Sequence, residues 1–197
     1  EIETASQEQI RAWQDERLVK QVKHVWDNVP YYRKKMEEKG LTPDDIKGVA
    51  DLHKLPFVTK ADLREAYPLG LMTEPEEKIV RIHSSSGTTG TPVIIPYTQQ
   101  DVDDWAFMFK RCYEMAGMTN MDRIQITPGY GLWTAGIGFQ AGAEKLGAMV
   151  VPMGPGNTDK QLQMMMDMNT TVLGSTSSYA LLLAEEIEKR GIKDKIH

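Results

Sequence analysis

The densest run of hydrogen-bond donors in the chain is His83-Ser84-Ser85-Ser86-Gly87-Thr88-Thr89-Gly90-Thr91-Pro92. Six of these ten residues carry a hydroxyl, two are glycine and none is acidic. Glycine lets backbone approach a ligand closely, and the amides and hydroxyls offer donors without a repelling charge. That chemistry suits phosphate oxygens, so Ser84, Ser85, Ser86, Gly87, Thr88, Thr89, Gly90 and Thr91 are candidate phosphate-binding residues. The run is not a Walker A loop, which needs lysine after its second glycine; here Thr91 follows Gly90. Serine- and glycine-rich stretches also serve as plain loops, and it is the order of residues, not their content, that singles this one out.

Three other places hold residues suited to chemistry. His83, at the entrance of the loop, could hydrogen-bond a phosphate or a carboxylate, or could be structural. Lys60 follows Thr59, a plausible N-cap with Asp62 three residues on. In the first turn of that helix the dipole does not support a cation. Lys60 is therefore either a surface lysine or one that reaches an anionic ligand. Tyr130, Gly131 and Trp133, continuing into Ala135 and Gly136, offer flat apolar surface with room between the rings. They could form a slot for an aromatic acid or simply cover a sheet edge. There is no Ser-His-Asp arrangement and no zinc-ligand spacing; His24, His53 and His197 stand as isolated surface positions.

The elements that must carry these residues follow from periodicity. Ile10, Trp13, Leu18, Val22, Val25 and Trp26 recur at helical spacing, with Trp13 and Trp26 expected as packing anchors. Pro30 stops this helix and a second runs over 31–39; helix-start patterns recur at Thr42 and Thr59. Residues 79–82 and 93–95 are β-branched and strand-like, which makes the hydroxyl run a hairpin loop. Beyond it, helix 98–116 precedes strands at 123–127, 148–152 and 171–174, with helices at 134–146, 159–168 and 179–190. Ser177 or Ser178 would cap the last of these, and the methionines of 159–168 would fill core gaps. Strand and helix alternating at short spacing predict an α/β fold: a largely parallel sheet covered by helices, with ligands at the carboxyl ends of its strands. The expected division is a helical N-terminal subdomain over 1–78 and an α/β nucleotide-binding subdomain over 79–197. The glycine-rich helix 134–146 has poor intrinsic propensity and requires either tight packing or close approach to a ligand.

Composition narrows the class. At 41% apolar and 26% charged the chain is globular, and a net charge of -5 argues against a nucleic-acid surface. No apolar run is long enough for a membrane span, and one cysteine, Cys112, excludes an internal disulfide. A cytoplasmic location is expected, with Cys112 a small buried side chain on a helix. Nothing in residues 192–197 closes a domain, so a longer protein is expected.

Ser-Ser-Gly-Thr-Thr-Gly-Thr-Pro between two strands resembles the phosphate loop of the adenylate-forming enzymes. Further segments are similar to the phenylacetate–CoA ligase family within that superfamily. They are Asn28-Val29-Pro30-Tyr31-Tyr32-Arg33, the run from Leu55 through Lys60 to Arg64, Tyr67-Pro68-Leu69-Gly70-Leu71, Gly129-Tyr130-Gly131-Leu132-Trp133-Thr134-Ala135-Gly136, Gly142-Ala143-Glu144 and residues 178–185. The resemblance implies ATP-dependent conversion of an aryl acid to an acyl-adenylate, then thioesterification with CoA. ATP, CoA, Mg2+ and an aryl carboxylic acid are the implied ligands. A homodimer is compatible with it; no nucleic acid or membrane is called for. It also implies a site near the anionic substrates for Lys60. Two positions depart from the family pattern: Thr91 stands where lysine is frequent, and Ser177 where proline is usual. The family's later nucleotide motifs and C-terminal catalytic lysine would lie beyond His197, so the chain alone is expected not to complete the reaction. The alternatives are a relative that adenylates another acid without CoA, and a non-catalytic nucleotide-binding module.

Overall fold

A computed structural model describes residues 2–87 and 90–196. The chain forms two compact units: Glu1–Ile79 with Gly87–Pro96, and Val80–Ser86 with Tyr97–His197. The chain thus passes from one unit to the other inside the hydroxyl-rich loop.

In the first unit, helix α1 (Gln7–Asn28) starts at a capping box in which Ser6 and Gln9 exchange side-chain and backbone hydrogen bonds of 3.0 and 3.2 Å. Pro30 then opens α2 (Pro30–Glu37) at its first turn. That position lacks an intrahelical N–H partner in any case, so proline begins this helix as well as ending the previous one. Val22, Met36 and Ile46 are buried together, with Leu18, Trp26, Leu41 and Leu55 packed around them. Trp26 is an anchor as expected, but Trp13 is 38% exposed. The buried position Val22 sets the inward stripe, and Trp13 falls outside its phase. The pattern at Thr42 yields one 3-10 turn, Pro43–Asp45, rather than a helix. Helix α3 (Lys60–Glu65) has the predicted cap: Asp62 N–H donates to Thr59 Oγ1 at 3.4 Å, and Thr59 N–H to Asp62 Oδ2 at 2.7 Å.

Strands β1 (Ile79–Ser84) and β2 (Ile94–Thr98) form a two-stranded sheet. After α4 (Gln99–Met115) come β3 (Arg123–Ile126), α5 (Ala135–Leu146), β4 (Met149–Pro152), α6 (Thr158–Asp167), β5 (Val172–Gly174) and α7 (Ser177–Lys189). Strand β3 lies between β4 and β5 and is parallel to both, with Ile124 beside Val150 and Val172. Alternation along these strands assigns the two faces. Ile124, Ile126 and Val172 pack with Ala143 of α5, whereas Leu173 joins Leu162, Met165 and Leu183 of α6 and α7. The expected α/β architecture, with helices on a parallel sheet, is present.

Two local expectations change. Cys112 is exposed, because Val102 and Ala106 define the buried stripe of α4 and Cys112 is out of phase with them. Helix α7 is preceded by Thr176, which makes no side-chain cap, so neither Ser177 nor Ser178 caps it. Helix α6 begins at Asn157, whose left-handed backbone (φ 51) brings its side chain to the Lys160 N–H.

The glycines of α5 are explained by packing. A Cβ on Gly142 would lie 2.2 Å from Phe109 Cβ, and one on Gly138 within 3.0 Å of the Phe109 and Trp105 rings. Close passage of α5 over α4 compensates for the poor helix propensity.

Candidate functional site

The two halves of the hydroxyl-rich loop are held differently. In the second half, Gly90 N–H donates to Gly87 O at 3.0 Å. Gly87 and Gly90 have φ of +68° and +130°, a region that favours glycine, and a Cβ on Gly87 would sit 3.2 Å from the Gly90 oxygen. Arg64, in the last turn of α3, donates from Nε to Thr91 O at 3.0 Å. Lys60 is exposed in the first turn of the same helix. Asp62 fixes that helix start: hydrogen bonds from Thr59, and the Lys35 ammonium at 3.0 Å, hold its carboxyl well below the usual carboxylate range. Thr88 and Thr89, two of the expected phosphate ligands, lie outside the described residues.

In the first half, one carbonyl collects two donors. Leu132 O accepts from Ser84 N at 2.9 Å and from His83 Nδ1 at 3.0 Å. A carbonyl only accepts, so Nδ1 carries the proton. His83 is 2% exposed and lies edge-on to Tyr97 and Trp105, with ring centroids 5.4 and 4.9 Å away. Its Nε2 is buried without a partner among the described residues. In the neutral ring that nitrogen is an acceptor and would repel an anion; only the imidazolium could donate to one. His83 therefore ties the entrance of the hydroxyl loop to the segment that carries Tyr130 and Trp133.

Past the carboxyl ends of all three parallel strands the second unit opens a cavity of about 210 Å3. Thr127, Pro128, Gly129 and Trp133 line it from the segment after β3, Pro155 and Gly156 from the segment after β4, and Thr176 and Tyr179 from the segment after β5. This is where open α/β sheets take ligands, because strand-to-helix turns there are free to diverge. Its walls are apolar apart from two hydroxyl-bearing threonines and the Tyr179 phenol, whose oxygen is buried and unpartnered among the described residues. A polar chain under the sheet holds one wall. Gln125, fully buried on β3, donates from Nε2 to Gln161 Oε1 at 2.6 Å, and Gln161 donates to Gly154 O at 2.8 Å. Thr127 ties the β3 and β5 ends, its N–H and hydroxyl donating to Gly174 O at 2.9 and 3.2 Å.

Of the five residues expected to form an aryl slot, Trp133 lines this cavity; Tyr130, Gly131, Ala135 and Gly136 do not. Tyr130 is 40% exposed, and burial of the remainder pushes its phenol pKa up. Gly136 is buried because a Cβ there would lie 2.8 Å from the Gly129 oxygen, so its small size seats α5 on the 128–129 backbone. Pro155, Gly156, Thr176 and Tyr179 were not anticipated. Each follows a parallel strand, and applying the strand-end rule to every strand, instead of to the one ending at Thr127, would have found them. Among the described residues, no helix is long and apolar enough to cross a membrane.

This architecture is that of the N-terminal portion of adenylate-forming CoA ligases. A 2-hydroxyisobutyryl-CoA ligase, solved with 2-HIB-AMP and CoA in its thioesterification state, superposes with a TM-score of 0.88 at 29% identity. The match covers 95% of this chain and 41% of that one. The same enzyme in its postadenylation state with 2-HIB-AMP gives 0.87 at 27% identity, again over 95% of this chain and 41% of that one. In sequence the chain is similar to phenylacetate-coenzyme A ligases, as its motifs led us to expect. It is 48% identical to that of Aromatoleum evansii over 191 residues, 97% of this chain and 43% of the relative. It is 46% identical to that of Pseudomonas putida, with 97% and 44% covered, and 46% identical to that of Escherichia coli strain K12, with 96% and 43% covered. The chain thus spans under half the length of these curated relatives. No family model matches it.

Proposed function

We propose that the chain is the N-terminal, nucleotide- and acid-binding part of a phenylacetate–CoA ligase. The observation that carries this reading is 42–48% identity to such ligases along nearly the whole chain. A glycine–hydroxyl loop and a strand-end cavity in the same chain agree with it. The reaction would proceed in two displacements. A carboxylate oxygen of the aryl acid attacks the α-phosphorus of ATP, and pyrophosphate leaves. The CoA thiolate then attacks the acyl carbonyl, and AMP leaves.

Each proposed role follows from residue chemistry. Two anions must approach in the first step, so fixed donors are needed where charge accumulates. The hydroxyls of Ser84, Ser85, Ser86 and Thr91 and the Gly87 amide would supply them to the phosphates, with Gly90 allowing close backbone approach and Thr88 and Thr89 continuing the run in sequence. Lys60 would offer a cation to the anionic substrates. Trp133, together with the lining residues from the other two strand ends, would face the ring of the acid, with Tyr130, Gly131, Ala135 and Gly136 shaping the approach. His83 would act by holding Leu132. Mg2+ is the metal expected to accompany the triphosphate. Among the described residues no group of three or more His, Cys, Asp or Glu side chains is placed to hold a metal ion. The described residues form no metal cradle of their own. A second copy of the chain as partner belongs to the same proposal.

Two measurements test this reading. Pyrophosphate release by the full-length protein should depend on phenylacetate, and the thioester should form only when CoA is present. Release with no aryl or acyl acid tried would refute the assignment, and an adenylate that never passes to CoA would favour the CoA-independent relative. Calorimetric titration with ATP should show binding that Gly87→Val abolishes; equal heat from the variant would remove the loop from the site.

A further inference from the structure

The hydroxyl-rich loop poses an electrostatic problem. A triphosphate carries several negative charges, yet residues 84–92 contain neither lysine nor arginine. Amide and hydroxyl donors solvate phosphate oxygens but bring no net charge. A cation must come from elsewhere in the fold, and the structure shows one already docked on the loop. Arg64 Nε donates to Thr91 O at 3.0 Å, and a Cβ built on Gly90 would lie 4.0 Å from the guanidinium carbon.

We propose that Arg64 is a phosphate-binding residue of the nucleotide site, the cation that the loop itself lacks. The proposal rests on the reading of that loop as a triphosphate site and adds a residue to it. Guanidinium is planar and always charged, and its fork matches phosphate oxygens. Anchoring Nε on a backbone carbonyl orients the plane of the fork before ligand arrives, which lowers the ordering cost on binding. A Cβ at position 90 would be in ordinary contact with the guanidinium, and it is the φ of +130° that favours glycine there. Helix α3 reinforces the arrangement. Lys60 and Arg64 are four residues apart and share one face of the helix, while Asp62, the acid of its first turn, is occupied by Thr59 and Lys35. The helix therefore presents two cations on one side.

Calorimetric titration of the protein with ATP and with AMP, for the wild type, Arg64→Gln and Arg64→Lys, tests this. Arg64→Gln should weaken ATP about tenfold or more and AMP less than threefold, because AMP carries less charge to neutralise. Arg64→Lys, which keeps the charge but loses the Nε anchor, should recover at least part of the ATP affinity. The ATP affinity of Arg64→Gln should also fall less steeply with added salt than that of the wild type. If the wild type binds ATP and Arg64→Gln changes ATP and AMP by the same factor, or neither, Arg64 merely props the turn and the inference fails while the loop assignment stands. If the wild type binds no ATP, both fail together. Circular dichroism and melting temperature of Arg64→Gln should match the wild type; should that variant not fold, Arg64→Ala takes its place, with an unchanged ATP-to-AMP affinity ratio overturning the inference.

Discussion

The two halves of one loop are built on opposite principles. Residues 84–86 continue a strand whose buried histidine packs edge-on against the stacked Tyr97 and Trp105 and shares the Leu132 carbonyl with Ser84. At residues 87 and 90–91, two glycines of left-handed backbone are joined by a hydrogen bond and an arginine holds Thr91. The first half is fixed by packing inside its unit, so its geometry should survive any change of solvent. The second half is fixed by backbone conformation and charge near the surface, so it should be adjustable at little cost to the fold. Under the proposed reading each property has a use: the packed half gives the phosphate donors a fixed start, and the glycine half leaves room for phosphates of varying charge.

Substitution of His83 should break the contrast most severely. His83→Ala empties an aromatic-lined site and leaves Leu132 O with one donor, for a loss of about 3 kcal/mol, within the range for buried rings truncated to alanine. Thermal unfolding followed by Trp105-sensitive fluorescence should show a fall of roughly 6–12 °C for a chain of this size. His83→Phe keeps the ring but not the N–H and should lose only about 1 kcal/mol, the worth of one ordinary hydrogen bond. An unchanged melting point for His83→Ala would mean that the first half is no more anchored than the second.

Gly87→Ala probes the other half and should have a smaller effect of a different kind. A left-handed φ costs alanine about 1–2 kcal/mol, but half-buried backbone outside the core can relax. Melting should move by about 1 °C or less, while ATP binding weakens roughly 5- to 30-fold, the same energy expressed in affinity. A large drop in melting temperature without loss of ATP affinity would reverse the assignment of the two halves.

The smallest expected effect is a pH dependence through Asp62. Its carboxyl is held low by Thr59 and Lys35 when folded and returns to about 3.9 in the unfolded chain. A depressed folded pKa contributes stability that is fully present above the unfolded value and lost as pH falls through the folded one. Far-ultraviolet helix signal should therefore decline below about pH 4. Asp62→Asn should make that decline shallower without abolishing it, because Asp45 and Asp51 are also held low by hydrogen bonds and lysines in the same unit. An acid transition in Asp62→Asn identical to that of the wild type would detach α3, and with it Arg64, from this control.

Much of this molecule could be read along the chain because the relevant forces are local. Helical spacing of Val22 and its neighbours, the Thr59 cap with Asp62, and β-branched runs on either side of the hydroxyl loop each depend on residues within a few positions of one another. The same is true of the strand and helix alternation that implied a parallel sheet. Where local patterns misled, a neighbour distant in sequence was decisive. Trp13 and Cys112 have the right residue type for a core and the wrong phase for the one that formed. The glycines of α5 admitted two explanations until Phe109 and Trp105 of α4 were found where their side chains would have been.

The candidate site divides along the same line. Order and residue type alone make 84–91 a candidate phosphate cradle, since close backbone approach and neutral donors are properties of the segment itself. The cavity wall was invisible in that way: Thr127, Pro155, Gly156, Thr176 and Tyr179 come from three strand ends and meet only when β3 lies between β4 and β5. His83 was singled out by its position before the loop, but its work is decided by the Leu132 carbonyl, 49 positions away. Arg64 was one residue in a familiar segment until the fold set it on Thr91. Local chemistry is written in adjacent residues; a charge or a ring acquires its role from whatever the folded backbone carries to within hydrogen-bonding distance of it.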